Sequence, residues 1–327
     1  MGSRRRFRYV DSAGRAIRDD AKLERVEELR IPPAWEDVWI SPNPRAKLQA
    51  TGVDAAGRRQ YLYHPEYRAR QEQAKYDRLV RFAERLPGLR QAMSEHMDLE
   101  PTDPRRVCAV AIRLINLSWF RVGSDRYARS SRTFGVTTLT KRHVRVRGER
   151  VTFRFRAKNK TMVRTTLVDA ELAEAIKVLV AAPGARVFRY ERDGSFRNLG
   201  GALLNGYIGE HLGKEFTAKD FRTWGGSLTA AILLAEHGVA ETDAEGRRAV
   251  AAVMRRVGAR LGNTPAVARA SYVSPAVIEQ YLDGRTIDDF RPRHLRVVSA
   301  RSTGLEREEQ ALLSLLRSWR IRRALAA

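Results

Sequence analysis

Four short segments of this 327-residue chain gather side chains suited to holding an anion. Lys219-Asp220-Phe221-Arg222-Thr223-Trp224-Gly225-Gly226 precedes a hydrophobic helical stretch, and Gly262-Asn263-Thr264-Pro265 through Ser271-Tyr272 follows a long one. Phe120-Arg121-Val122-Gly123-Ser124-Asp125-Arg126-Tyr127 closes an earlier helical pattern, and Ala157-Lys158-Asn159-Lys160-Thr161 separates two strand-like runs. Arginine keeps its charge at any physiological pH and offers a planar fork of donors that fits phosphate. Lysine is a point cation whose pKa falls when it is desolvated or set beside other cations, so it can pass a proton near neutrality where arginine cannot. Nine of the 61 basic residues are lysine (22, 47, 75, 141, 158, 160, 177, 214 and 219) and the rest are arginine, which makes every lysine a departure from the habit of the chain. Taken singly, Arg121 reads as a helix-end charge, Lys158 as a turn lysine and Tyr272 as a packing residue between short helices.

Other chemistries lack their residues. No glycine-rich loop ends in Gly-Lys-Ser/Thr, no Gly-x-Gly-x-x-Gly follows a strand, and the six histidines (64, 96, 143, 211, 237 and 294) are too scattered to form a metal set. A nucleotide motor and a zinc protein are disfavoured, and neither cofactor nor metal is expected. Cys108 is the only cysteine, so there is no internal disulfide, which fits a reducing, cytoplasmic setting. No 18-residue apolar run occurs, and the start Met1-Gly2-Ser3-Arg4-Arg5-Arg6-Phe7 has no apolar stretch behind its charges, so neither a membrane span nor secretion is expected. The formal net charge is +23, from 61 Lys and Arg against 38 Asp and Glu. Nucleic acid is the commonest partner for such an excess, because each neutralised phosphate releases condensed counterions. An arginine-rich solvated surface satisfies the same count.

The elements that must hold these segments follow from periodicity. Phe7–Val10, Val38–Ser41 and Tyr61–Tyr63 are β-prone and separated by turn clusters such as Ile31-Pro32-Pro33 and Asp54-Ala55-Ala56-Gly57, which outlines a small β-rich domain over residues 1–72. From Glu72 the period becomes helical, with Tyr76, Leu79, Val80, Ala83 and Leu86 on one face and Pro87-Gly88 as the expected stop. Asp103-Pro104 marks another helix start, and Val107, Val110, Leu114 and Leu117 keep its spacing to an expected end at Arg121-Val122-Gly123. Between Val144 and Leu167 the period falls to two, giving three strands. Helices resume near Asp169 and continue as Leu199–Leu212, Leu228–His237, Ala244–Leu261, Pro265–Ser271, Pro275–Leu282 and about Glu306 to Ala324. The expected fold class is α+β: a small β-rich amino-terminal domain, then a larger, mainly α-helical domain over residues 73–327 with a β-hairpin or three-stranded insert.

In chain order, the four segments resemble the motifs of type IB DNA topoisomerases. Gly262–Tyr272 is similar to the family's Gly-His-Thr-Pro…Tyr nucleophile segment, Lys219–Arg222 to its Lys-x-x-Arg segment, Phe120–Tyr127 to its first catalytic arginine segment, and Phe155–Lys160 to its hairpin lysine segment. Ile31-Pro32-Pro33-Ala34-Trp35, Ala46–Gly52 and Gly57–Tyr63 resemble the small poxvirus-like and bacterial subgroup, so the likeness covers nearly the whole chain. It implies the catalytic fold shared with tyrosine recombinases and relaxation of supercoiled duplex DNA through a transient 3′-phosphotyrosyl nick, without ATP or metal. Tyr272 would be the nucleophile, Arg121 and Arg222 the clamps on the phosphoryl oxygens, Lys158 the acid for the departing 5′ oxygen, and Lys219 a support for that transfer or a phosphate ligand. Arg59, Gln60, Tyr61, Tyr63, Arg126 and Tyr127 would lie on duplex DNA, gripped by a monomeric clamp.

Two positions depart from the family pattern. Asn263 stands where histidine is usual, and an amide can donate a hydrogen bond but carries no charge. Ser124 stands where viral members have a base-contacting lysine. Two other readings compete. A tyrosine recombinase usually has His-x-x-Arg in place of Lys219-Asp220-Phe221-Arg222 and a helical amino-terminal domain, whereas an inert architectural DNA-binding protein needs only the charge.

Overall fold

A computed structural model describes residues 7–291 and 304–326, so the basic start at Arg4–Arg6 lies outside the described residues. Close contacts divide the chain into two compact units, residues 1–75 and 76–327.

The first unit holds helix α1 (Asp20–Glu28) and an antiparallel sheet of β1 (Glu36–Ile40), β2 (Leu48–Val53) and β3 (Arg59–Tyr63), in that order. The strand expected at Phe7–Val10 is reduced to one bridge, Val10 with Ala16, because Asp11 turns the chain by accepting from the Ala13 and Arg15 amides. The central strand β2 was not among the expected strands, since its sequence neither alternates nor runs apolar. Burial comes from tertiary partners instead: Arg25 of α1 donates to Gln49 Oε1 at 2.7 Å and to the Ser41 carbonyl at 2.8 Å. Helix α1 was also unexpected, although Asp19 caps it by accepting from the Lys22 amide.

Helix α2 (Pro65–His96) starts before Glu72 and runs through Pro87 rather than stopping there. An interior proline costs about 3 kcal/mol, but Leu86, Leu89 and Met93 continue the buried face beyond it. Each such side chain returns roughly 1.5–3 kcal/mol on burial, so the helix persists.

The second unit continues with α3 (Pro104–Ser118), capped by Asp103, and α4 (Asp125–Ser130). Helix α3 ends earlier than expected, at Ser118, because Trp119 takes the left-handed conformation at φ 56°. Arg121 therefore lies on an extended segment whose carbonyl accepts from the Val136 amide. Strands β4 (Val144–Arg147), β5 (Arg150–Arg156) and β6 (Met162–Val168) form the antiparallel insert, with Val151, Phe153 and Phe155 turned into the core beneath Phe120. After α5 (Ala170–Ala181) comes an unexpected hairpin of β7 (Arg189–Arg192) and β8 (Ser195–Asn198), whose turn residues Asp193 and Gly194 both have positive φ, as a two-residue hairpin turn requires.

Helix α6 (Gly201–Leu212) is followed by α7 (Ala218–His237), which begins ten residues before the expected start at Leu228. Thr217 and Asp220 form a reciprocal cap, so the Lys219–Gly226 segment lies inside the helix and not before it. Helices α8 (Asp243–Leu261), α9 (Pro265–Tyr272), α10 (Pro275–Leu282) and α11 (Arg307–Ala326) complete the bundle. Buried Glu309 on α11 fastens it, accepting from both ends of the Arg90 guanidinium at 2.8 Å and from Trp224 Nε1 at 3.1 Å.

Candidate active site

The end of α8, the short helix α9 and the first half of α7 build one junction. Helix α8 stops at Gly262, which has φ 60° and caps the helix in the left-handed conformation. Asn263 and Thr264 turn the chain, Pro265 starts α9, and two turns later α9 delivers Tyr272 as its last residue. Helix α7 supplies the floor. Gly226 lies so close that a Cβ there would sit 2.6 Å from the Tyr272 carbonyl oxygen, and one on Gly225 would overlap the Trp119 indole. Fully buried Ser227 donates to the Tyr272 carbonyl at 3.4 Å and accepts from the Ser274 amide at 2.9 Å, while Tyr76 donates to the Ala270 carbonyl at 3.1 Å.

Arg222 rises from α7 into this junction and is buried. Its Nη1 donates to the Trp119 carbonyl, its Nη2 donates to the Leu261 carbonyl at 2.7 Å, and its Nε is buried with no acceptor among the described groups. Its Cζ lies 5.0 Å from the centre of the Tyr272 ring. Burial, then repulsion from Arg121, pulls the guanidinium down to about 10, which leaves it charged at neutral pH. Arg121 approaches from the other side, donating to Asn263 Oδ1 at 2.8 Å and to the Leu261 and Gly262 carbonyls at 3.4 Å. Asn263 Nδ2 in turn donates to the Leu261 carbonyl at 3.3 Å.

The half-buried Tyr272 phenol feels two opposed influences. Burial raises its pKa, but the charge and hydrogen bond of Arg222, then the charges of Arg121 and Lys158, outweigh it, so the phenol lies below its usual value of 10. Lys158 is exposed in the turn between β5 and β6, and Thr161 from the same turn approaches the Gly262 cap. The turn needs two residues at positive φ, Asn159 and Lys160. A phenol acidified by guanidiniums, beside a buried donor without an acceptor, can attack phosphorus and keep the bond as an ester.

Family models match two stretches: the catalytic core of eukaryotic DNA topoisomerase I over residues 64–288, and the N-terminal domain of bacterial DNA topoisomerase IB over residues 6–54. The DNA topoisomerase 1B of Acanthamoeba polyphaga mimivirus is 31% identical over 283 residues, covering 84% of each chain. The DNA topoisomerase I of Monkeypox virus and the DNA topoisomerase 1B of Vaccinia virus (strain Copenhagen) are each 20% identical over 279 residues, 83% of this chain and 85% of theirs. The chain belongs to the type IB DNA topoisomerases.

The site positions of this topoisomerase divide into four groups. Arg121 contacts Asn263 and Arg222 contacts Tyr272, the two pairs sharing the Leu261 carbonyl, with Lys158 within electrostatic reach of the phenol. Lys219 is exposed in the first turn of α7, and its ammonium enters no ion pair among the described residues. On β3, Arg59, Tyr61 and Tyr63 share one exposed face, with the two rings stacked 6.3 Å apart, whereas Gln60 points to the other face and donates to Asp54 at 2.9 Å. Arg126 and Tyr127 are exposed on α4, which Ser124 precedes. The positioning residues Trp119, Ser227 and Tyr76 were not among the expected site residues. Only the Gly225-Gly226 pair hinted at a close approach, and it reads equally as a helix break. No described helix of the topoisomerase is long and apolar enough to cross a membrane.

Proposed function

We propose that Tyr272 attacks a backbone phosphate of duplex DNA, becomes esterified to the 3′ end and releases a 5′ hydroxyl. The nicked strand then rotates about the intact one, and the 5′ hydroxyl attacks the phosphotyrosyl ester to reseal the DNA. The acidified Tyr272 phenol lying against Arg222 is the observation that carries this reading. Arg222 and Arg121 hold the non-bridging oxygens, and the buried Arg222 Nε gains the acceptor it lacks. Asn263 orients Arg121, Lys158 protonates the departing 5′ oxygen, and Lys219 supports that transfer or binds phosphate. The ester conserves the bond energy and torsion in the DNA drives rotation, so neither ATP nor metal is needed. The enzyme would act as a monomer on cytoplasmic DNA, with Arg59, Tyr61, Tyr63, Gln60, Arg126 and Tyr127 on the duplex.

The test is relaxation of supercoiled plasmid in a chelating buffer without ATP, together with trapping of the covalent adduct. Tyr272→Phe is expected to abolish both and to leave duplex affinity within about threefold, the size of a lost surface contact. Strand exchange between two specific sites would identify a recombinase, and absence of any adduct an architectural protein.

A further inference from the structure

The β4–β5–β6 sheet has two unlike faces. One packs Val151, Phe153 and Phe155 into the core; the other exposes Arg145, Arg147, Arg150, Arg154, Arg156 and Arg164. Arg147 is the direct cross-strand partner of Arg150, and Arg154 that of Arg164. Like charges placed opposite each other destabilise a sheet, and none of the six is in an ion pair among the described residues. Glu149 is the only acid from Val144 to Val168, against eight basic residues. Between the two arginine pairs, the Thr152 and Thr166 hydroxyls lie 3.0 Å apart and offer further donors. At the end nearest the Lys158 turn, Arg132 and Arg142 join Arg154 and Arg156 around a cavity of about 350 Å³ beside Phe134.

Repelling guanidiniums without carboxylates suit a partner that is itself a regular polyanion. Exposed positions recur about every 7 Å along a strand, and the run from Arg156 back to Arg150 spans about 20 Å, roughly six base pairs. The strand that carries them leads directly into the Lys158 turn. We infer that this sheet face is a phosphate-binding track for one flank of the duplex being cleaved, extending the grip outward from the scissile bond. The inference rests on the proposed cleavage by Tyr272, which fixes where on the DNA the track begins.

The experiment compares the parent with the triple variant Arg147→Ser, Arg150→Ser, Arg154→Ser. The DNA is a duplex with about 20 base pairs on each side of a mapped cleavage position, and the same duplex trimmed to about four pairs on one side or the other. On the long duplex, the variant is expected to bind at least tenfold more weakly, and its slope of log affinity against log salt to fall by about 2–3, near 0.9 per lost phosphate contact. One of the two trimmed duplexes should bind both proteins alike, and prebound DNA should be cleaved at the same single-turnover rate. The corresponding triple lysine variant should keep the parent slope.

An unchanged slope on the long duplex would overturn the inference, as would an equal loss on all three duplexes. Two bound duplexes per parent chain and one per variant chain would also overturn it, by placing a different DNA molecule on the face. The variant should melt at or above the parent midpoint, since repulsion is relieved; a fall of several degrees would make the arginines structural. If the parent forms no Tyr272-dependent adduct, the cleavage reading fails and no position can be mapped, yet the salt slopes of parent and variant on a duplex of about 40 base pairs still show whether the face binds phosphate.

Discussion

At the scale of single residues, the proposed chemistry rests on two guanidiniums that stay charged at neutral pH, one lysine that passes a proton and one phenol that loses one. Cleavage by a phenolate rises with pH until the phenol is ionised, so a phenol held below 10 brings the plateau down. Arg222→Ala should move the inflection of single-turnover cleavage upward, because the largest lowering influence disappears while burial remains. A substrate whose leaving oxygen is replaced by sulfur suits this measurement, since sulfur departs without a proton. The same substrate should rescue Lys158→Ala, whose defect would otherwise be on the order of the 10²–10⁴ that a positioned acid supplies. Arg222→Lys keeps the charge but not the fork that reaches the Trp119 and Leu261 carbonyls together, and should lower the cleavage rate about 10²-fold. Asn263→His should retain or raise cleavage: a neutral imidazole can accept from Arg121 on one nitrogen and donate from the other, as the amide does now. A large loss would show that the asparagine is tuned to this site.

At the scale of elements, α7 holds Tyr272, the proposed nucleophile, in place. Gly226→Ala pushes a methyl against the Tyr272 carbonyl and should cost about 1–3 kcal/mol of stability, slowing cleavage of bound DNA with little change in affinity. The short helical turn that leads into β4 ends on a pH-sensitive residue. Burial, then the charge of Arg142, holds His143 down at about 4, and its Nδ1 accepts from the Thr140 amide. The unfolded histidine, at 6.5, takes up a proton that the folded one refuses. Stability present above pH 6.5 is therefore lost as the pH falls toward 4, by about 2 kcal/mol at pH 5. Thermal melts from pH 7 to 5 should show this fall, and His143→Gln should flatten it whatever its baseline cost.

At the scale of the whole chain, the proposed roles put most duplex binding and the chemistry on different side chains. With a net charge of +23, duplex affinity should drop by orders of magnitude between 50 and 200 mM salt. Tyr61→Ala with Tyr63→Ala removes a stacked, exposed pair in the first unit and should weaken duplex binding about tenfold, while prebound DNA is cleaved at the parent rate. A matching loss in the cleavage rate of bound DNA would mean that these rings help to align the scissile phosphate.

The candidate catalytic set and most of the larger unit are legible in the sequence alone. Asp103-Pro104, Asp169 and Thr264-Pro265 are local caps, the two-residue alternation of β5 is a local pattern, and the order Arg121, Lys158, Arg222, Asn263, Tyr272 is legible without coordinates. The structure departs from the local signal where a distant partner outweighs it: in β2, Gln49 is held by Arg25 and Gly52 lies close to Trp35, α2 passes Pro87 because its apolar face continues, and Gly225-Gly226 lies inside α7 against Trp119 and Tyr272. Only the tertiary structure could show that Arg222 is buried against the Tyr272 ring, that Asn263 holds Arg121, and that Gln60 faces away from Tyr61. The reason is physical: caps and periodicities act within a few residues, whereas the phenol's acidity depends on cations 50 to 151 positions away in the chain, set by the packing of α7, α8 and α9.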